Sequence, residues 1–248
     1  MKAVILAAGK GTRLKDLTAN QPKPMLVLDT KQTILEKLFS GIRDAGITEF
    51  IVVTGYFANL IEERFQDGRA WGIDIQYVRQ SVLDGTGGAL RLTRKVVRGE
   101  PMFMSFGDIL INPHNYSRLI QDYQNDPVPA VLAVNETDDP HAGAAVHFDK
   151  PTRHVTQIIE KPPKGSSTSR WNNAGIFILE DGIYDYLDRL PLSPRGEYEL
   201  TDALQQMIVD GLSLRALPLR GFWGDIGTPD DVERIRRLFQ SDPQFLDH

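Results

Sequence analysis

No cysteine occurs among the 248 residues. That removes thiol catalysis, thiolate metal sites and disulfide chemistry, and it fits a cytoplasmic setting. Histidine is scarce: His114, His141, His147, His154 and His248 show no metal-ligand spacing and no Ser or Asp motif beside them. Packing or surface roles are expected for them, and hydrolytic-triad chemistry has no support. Long apolar runs are missing as well. The first run, residues 3–8, stops at Gly9, whereas a membrane span needs about 20 residues and a signal peptide a longer apolar region. Neither export by such a signal nor contact with a membrane is expected. An excess of positive charge is also absent. Lys plus Arg is 28 against 33 Asp plus Glu, a formal net charge of -5, so no global basic field draws the chain to nucleic acid. Polyanion binding must therefore be local. What remains, 41% hydrophobic and 25% charged, is the composition of a globular domain and excludes disordered and collagen-like classes.

The run 3–8 reads as a short buried strand, since aliphatic and β-branched residues end at a Gly-rich turn without helical periodicity. A polar loop, 9–24, follows. Behind a Thr cap at Thr33, apolar residues recur at helical spacing, predicting a helix over 32–45. The alternation continues with a strand from Phe50, a helix over 59–65, a strand over 73–78, a helix over 88–97, a strand over 101–106, a helix over 114–124 and a strand over 130–134. Such alternation argues for right-handed βαβ units around a parallel sheet. From Ala144 to Ile178 the pattern turns to strands, at 144–148, 155–159 and 174–179, which read as antiparallel additions, with a polar, flexible loop over 161–171. Helices over 181–189, 200–210 and 229–239 and a strand over 213–217 complete the chain. No linker and no internal repeat is visible, so one domain over 1–248 is expected.

The loop after the first strand, Gly9-Lys-Gly-Thr-Arg-Leu, has Gly-x-Gly but lacks the third Gly of the dinucleotide fingerprint, and no P-loop Gly-Lys-Ser/Thr follows. An NAD-dependent dehydrogenase on a similar sheet is therefore disfavoured. Glycines at the carboxyl end of a first parallel strand still let bare backbone N–H groups approach a phosphate, and Arg13 and Lys23 add two cations there. Taken alone, a tight turn with two solvated charges explains the loop equally well.

Extended to Pro22-Lys-Pro-Met, the loop reads Gly-x-Gly-Thr-Arg-Leu-x(7)-Pro-Lys-Pro-Met and resembles the bipartite signature of the sugar-1-phosphate nucleotidylyltransferases, or NDP-sugar pyrophosphorylases. The resemblance is to short forms acting on glucose 1-phosphate with dTTP or UTP. It implies an α/β fold, a Rossmann-like three-layer sandwich with a mixed, mostly parallel central sheet. Residues 1–135 would form the nucleotide-binding half and 136–248 the sugar-phosphate half. Arg13 would hold the triphosphate and Lys23 would neutralise the α-phosphate region, with Ala7, Ala8, Gly9, Gly11 and Thr12 lining the nucleotide. Ser105-Phe-Gly-Asp108 and Trp223-Gly-Asp225-Ile-Gly-Thr-Pro resemble the segments that supply the family's two metal carboxylates. Asp108 and Asp225 would thus bind Mg²⁺, which takes a few carboxylate oxygens together with phosphate oxygens.

Gln80-Ser-Val-Leu-Asp-Gly85-Thr86 resembles the base-recognition segment, and a Gln amide is complementary to the edge of uracil or thymine. That favours UTP or dTTP. Glu160-Lys161-Pro and Asn173-Ala-Gly resemble the family's sugar and sugar-phosphate contacts. Gly143 lies where many members place an aromatic residue before a Gly and then a β-branched pair; here the run is His141-Ala-Gly-Ala-Ala, whose smaller side chains would enlarge or reshape the sugar pocket and leave the assignment of glucose open. Glu197-Tyr-Glu-Leu-Thr201-Asp202 matches a helix-start segment, where Thr201 and Asp202 suit local capping, so a structural role is expected. The length leaves no room for the left-handed β-helix that longer relatives append, so a second catalytic function is not expected.

The resemblance thus implies transfer of a nucleotidyl group from an NTP to a hexose 1-phosphate, giving NDP-sugar and pyrophosphate. Mannose 1-phosphate with GTP is the rival within the family. A non-catalytic regulatory binder is the rival outside it, against which both carboxylates argue. Expected partners are the two substrates, with no nucleic acid and no membrane, and a symmetric homo-oligomer is compatible with the class.

Overall fold

Apolar runs that end at polar turns form strands, and runs with helical spacing form helices, in a computed structural model that describes residues 1–28, 32–242 and 244–247. His248 lies outside the described residues. In chain order the elements are β1 (Lys2–Ala7), α1 (Ile34–Asp44), β2 (Glu49–Thr54), α2 (Ala58–Phe65), β3 (Asp74–Arg79), α3 (Thr86–Arg91), α4 (Arg94–Val97), β4 (Met102–Phe106), β5 (Ile109–Ile111), α5 (His114–Asn125), β6 (Ala130–Glu136), β7 (Ala144–Phe148), β8 (Val155–Glu160), β9 (Trp171–Leu179), α6 (Ile183–Arg189), α7 (Leu200–Val209), β10 (Leu214–Pro218), β11 (Trp223–Asp225) and α8 (Pro229–Ser241). They fall into two compact units: Met1–Leu83, Ser105–Arg118 and Arg220–His248 form the first, Asp84–Met104 and Leu119–Leu219 the second.

In the first unit β1, β2 and β3 are parallel neighbours in that order, with Ala7 opposite Thr54 and Thr54 opposite Arg79. Their carboxyl ends lie on one edge, where open parallel sheets bind ligands. Helix α1 starts as the Thr33 cap predicts: Thr33 Oγ1 accepts from the Glu36 N–H, and the Glu36 carboxylate accepts from the Thr33 N–H, a reciprocal capping box. The polar loop after β1 is not irregular throughout. It contains 3-10 turns over Thr12–Thr18 and Lys23–Met25, pinned by Leu14 and Leu26, which pack with Leu110, Ile226, Val232, Ile235 and Phe239 in one buried cluster. Each such fully buried aliphatic side chain contributes about 1.5–3 kcal/mol of transfer free energy. The phosphate-loop candidates are thereby tied to α8.

In the second unit β10 is parallel to β6, and β6 is antiparallel to β9. β7 pairs antiparallel with β8, so the change from parallel units to antiparallel strands occurs where the sequence pattern changes. Two expectations need correction. The helix expected over 88–97 begins earlier, at Thr86, and is broken between Arg91 and Arg94. The buried Thr93 hydroxyl donates back to the Leu90 carbonyl at 2.7 Å and pairs with Tyr184 Oη at 2.7 Å, a side-chain competition that interrupts helices. Strand β9 begins at Trp171, three residues before the expected start, so Asn173 stands on a strand.

Candidate active site

Two three-residue strands create the centre of the first unit. β5 and β11 are antiparallel, with Asp225 opposite Ile109, and the Ile226 N–H donates to the Asp108 carbonyl at 3.3 Å. This ribbon brings together two carboxylates that are 117 positions apart in sequence, 225 less 108. Gly107, just before Asp108, donates its N–H to the Leu6 carbonyl at 2.9 Å, and a Cβ there would stand 3.2 Å from Ala7 Cβ. The ribbon therefore sits at the end of β1.

Lys23 completes the cluster. Its Nζ donates to Asp108 Oδ2 at 2.5 Å and to Asp225 Oδ1 at 3.1 Å, and its side chain is 8% exposed against 29% and 39% for the two carboxylates. Burial alone would lower the Lys23 pKa, but the two carboxylates outweigh it and raise it, so the ammonium stays charged. Asp225 moves up, pushed by burial and by the facing Asp108 against the pull of Lys23 and Arg13. Arg13 lies over Gly227, where a Cβ would meet its guanidinium at 3.3 Å. Gly11, at φ +63°, turns the loop so that its Cα packs on Lys23, where a Cβ would lie 3.2 Å from Lys23 Cβ. The N-terminal cap of α8 is made by Thr228 and Asp231, which leaves Asp225 out of the capping role that a carboxylate before Gly-Thr-Pro could have filled.

Of the other nucleotide candidates in this unit, Ala7 and Ala8 are buried at the end of β1, Gly9 and Thr12 are exposed, and the Ala8 carbonyl accepts from the Tyr56 N–H at 3.1 Å. Gln80 is buried just after β3, with its N–H on the Thr54 carbonyl at 2.8 Å.

The remaining candidates belong to the second unit. Gly85 and Gly87 pack on the Tyr198 backbone: Gly87 N–H donates to the Tyr198 carbonyl and Tyr198 N–H to the Asp84 carbonyl, each at 2.7 Å. The Thr86 hydroxyl accepts from the Leu200 N–H at 3.1 Å. Glu160, at the end of β8, accepts from Thr201 Oγ1 at 2.8 Å and from Arg195 Nη1 at 3.2 Å. Lys161 follows in the left-handed region at φ +41° and donates its N–H to the Gly143 carbonyl at 2.8 Å. Asn173 Oδ1 accepts from the Gly175 N–H at 3.1 Å.

The capping role expected of Thr201 is not what the structure has, because its hydroxyl donates to Glu160, the N-cap residue Glu199 makes no side-chain cap, and the first N–H of α7 is taken by Thr86 instead. Arg195 and Glu199 were not singled out by sequence. Arg195 pairs with Glu160, Glu197 and Glu199 at 2.9 to 3.2 Å. Glu199 is 5% exposed, and burial, then repulsion from Glu160, pushes its pKa up to about 7 against the pull of Arg195. A signal was present in the sequence: one arginine beside two glutamates over 195–199.

Among the described residues no group of three His, Asp or Glu could hold a metal, and no helix is long and apolar enough to cross a membrane. The Asp108 and Asp225 pair nevertheless suits a hard divalent cation. Both are oxygen donors with part of each carboxylate open to solvent, and their mutual repulsion would be relieved by a bound cation.

A family model described as Nucleotidyl transferase matches residues 2–241. The bifunctional protein GlmU of Methanococcus aeolicus is 34% identical over 94% of this chain and 53% of its own length; this chain thus spans about half the length of such relatives. The UTP–glucose-1-phosphate uridylyltransferase AglF of Haloferax volcanii is 31% identical over 98% of both chains. Among solved structures, a Bacillus anthracis protein assigned as a glucose-1-phosphate thymidylyltransferase superposes with a TM-score of 0.86 at 25% identity, over 96% of this chain and 94% of that one. A UDP-glucose pyrophosphorylase complexed with UDP-glucose superposes at 0.88 with 21% identity, over 97% and 98%. The expected α/β fold with a mixed, mostly parallel sheet is the fold of these neighbours.

Proposed function

The chain belongs to the Nucleotidyl transferase family, and we propose that it transfers a nucleotidyl group from an NTP to a sugar 1-phosphate, releasing pyrophosphate. The observation that carries this reading is the Lys23 ammonium held between Asp108 and Asp225 beside Arg13. A pure binder of nucleotide has little need of two carboxylates at a phosphate site, whereas transfer at phosphorus depends on neutralising charge and fixing geometry.

The sugar phosphate oxygen is already an anionic nucleophile. It forms a bond to the α-phosphorus as the bond to the pyrophosphate oxygen breaks, and no covalent enzyme intermediate is required. Arg13 binds the triphosphate, Lys23 neutralises the α-phosphate, Lys161 binds the sugar phosphate, and Glu160 and Asn173 take sugar hydroxyls. Asp108 and Asp225 would hold a divalent cation, Mg²⁺ in this reading, which supplies electrostatic stabilisation of the phosphate oxygens.

For the substrates we favour UTP or dTTP with glucose 1-phosphate. Support comes from the buried amide of Gln80, which offers a donor and an acceptor to a pyrimidine edge, and from the likeness to AglF along its whole length. Within the catalytic domain, residues 1–135 serve the nucleotide and 136–248 the sugar phosphate.

The test is pyrophosphate release with Mg²⁺, each common NTP plus dTTP, and a panel of hexose 1-phosphates. Release that needs both a sugar phosphate and UTP or dTTP is expected. Release only with GTP and mannose 1-phosphate would replace the substrates, and nucleotide binding without release from any pair would overturn the enzymatic reading in favour of a regulatory binder.

A further inference from the structure

Three residues assigned to the sugar phosphate converge on a fourth that no motif contains. Asn172, on β9 beside Asn173, is 7% exposed. Its Nδ2 donates to the Asn173 carbonyl at 2.8 Å and to Asn135 Oδ1, on β6, at 3.2 Å. Its Oδ1 is buried and accepts no hydrogen bond among the described residues. That oxygen is directed at Gly143: a Cβ on Gly143 would lie 2.2 Å from Asn172 Oδ1 and 3.1 Å from its Cγ. Gly143 has φ -124° and ψ -142°, so no positive φ reserves the position for glycine. A Cβ there is excluded by the Asn172 side chain. The Gly143 carbonyl in turn accepts from the Lys161 N–H at 2.8 Å, and so fixes the left-handed turn that starts the Lys161 side chain.

We propose that Asn172 is a positioning residue for the sugar-phosphate site. Its amide, wedged between β6, Asn173 and the Cα of Gly143, sets the spacing of Gly143, Lys161 and Asn173 without touching the sugar. A buried acceptor without a partner is disfavoured, and its retention is explained if the wedge serves the site rather than the fold. Asn172 thus accounts for the glycine at 143, where bulk would displace the Lys161 turn. The inference rests on the functional reading above.

The test compares Gly143→Ala, Asn172→Ala and the double variant by thermal melting and by separate KM values for sugar 1-phosphate and nucleotide. Asn172→Ala should raise the KM for sugar 1-phosphate by about fivefold, leaving kcat and the nucleotide KM near wild type, since misplacement of binding groups is felt mainly by the ligand they hold. Its melting midpoint should change little, because removal of the unpaired acceptor is set against loss of the two Nδ2 hydrogen bonds. Gly143→Ala should lower the midpoint and raise the same KM by about tenfold, and adding Asn172→Ala should restore the midpoint by making room for the methyl group, a coupling expected only of residues in contact. A sugar-phosphate KM within about twofold of wild type in Asn172→Ala, or additive midpoints, would overturn the proposal in an active enzyme. Failure of the functional reading is distinct: wild-type protein would then release no pyrophosphate at all, and the positioning role would fall with it.

Discussion

Lys23 illustrates how one residue can be both a structural and a chemical choice. Its ammonium compensates two carboxylates that would otherwise repel each other, and the same position neutralises a phosphate in the proposed reaction. Lys23→Ala should reduce the rate of pyrophosphate release by about 10²–10³, the scale for losing one preorganised charge at a developing transition state. Because Asp108 and Asp225 are 29% and 39% exposed, they can rehydrate, so far-UV circular dichroism should remain that of the wild type. A rate within a factor of about three would place Lys23 away from the reacting phosphates. Asp108→Asn and Asp225→Asn should abolish turnover with the fold retained, and an active variant would remove that residue from the metal pair. Glu199 makes a different statement. Its folded pKa, about 7, lies above the ordinary glutamate value of 4.5, so between these values the folded state holds a proton that the unfolded chain has already released. This contribution is fully present below about pH 4.5 and is lost as pH rises through about 7. Glu199→Gln should flatten that slope and raise the melting midpoint relative to wild type at pH 8 more than at pH 5. Equal differences at the two pH values would sink the assignment.

At the scale of elements, what was legible depended on length. Helix α1 was readable from the Thr33 cap and its apolar spacing, and β1 and β2 from aliphatic runs ending at glycine. β5 and β11 were not, because three residues carry no period. The site candidates Asp108 and Asp225 came from their motifs, while the ribbon that joins them is a long-range pairing no local pattern encodes. The break after α3 depends on the Thr93 hydroxyl meeting Tyr184, and the true partner of Thr201 is Glu160, 41 residues away. Both are tertiary facts. The span of α8 was legible from Pro229, whereas its cap, Thr228 with Asp231, comes from the structure, and its consequence is local: Asp231 also accepts from the Gly227 N–H at 3.2 Å, beneath Arg13. Thr228→Ala should cost about 1 kcal/mol, the usual price of a lost N-cap, and should raise the nucleotide KM through the loosened Gly227 turn. A denaturation midpoint and nucleotide KM both unchanged would show that Asp231 alone holds the helix start.

At the scale of the whole molecule, the proposed reaction asks a chain of net charge -5 to bind two polyanions, so in that reading the charge that attracts them is concentrated and in part supplied by a cation. The geometry separates that requirement from folding. Lys23 itself compensates the two carboxylates, with Arg13 adding to the field on Asp225. A chelator should therefore abolish pyrophosphate release while shifting the melting midpoint by less than about 2 °C, since for a chain of this size about 1 kcal/mol corresponds to 2–4 °C. Adding Mg²⁺ alone should change the midpoint little. Mg²⁺ with UTP at about 100 times its Kd should stabilise by roughly 2.7 kcal/mol through linkage, a rise of several degrees. Melting curves with chelator, with Mg²⁺ and with Mg²⁺ plus nucleotide decide it. If the chelator by itself unfolds the protein, the cation is part of the fold and Lys23 is insufficient; if nucleotide stabilises equally with and without Mg²⁺, Asp108 and Asp225 do not deliver the cation to the triphosphate.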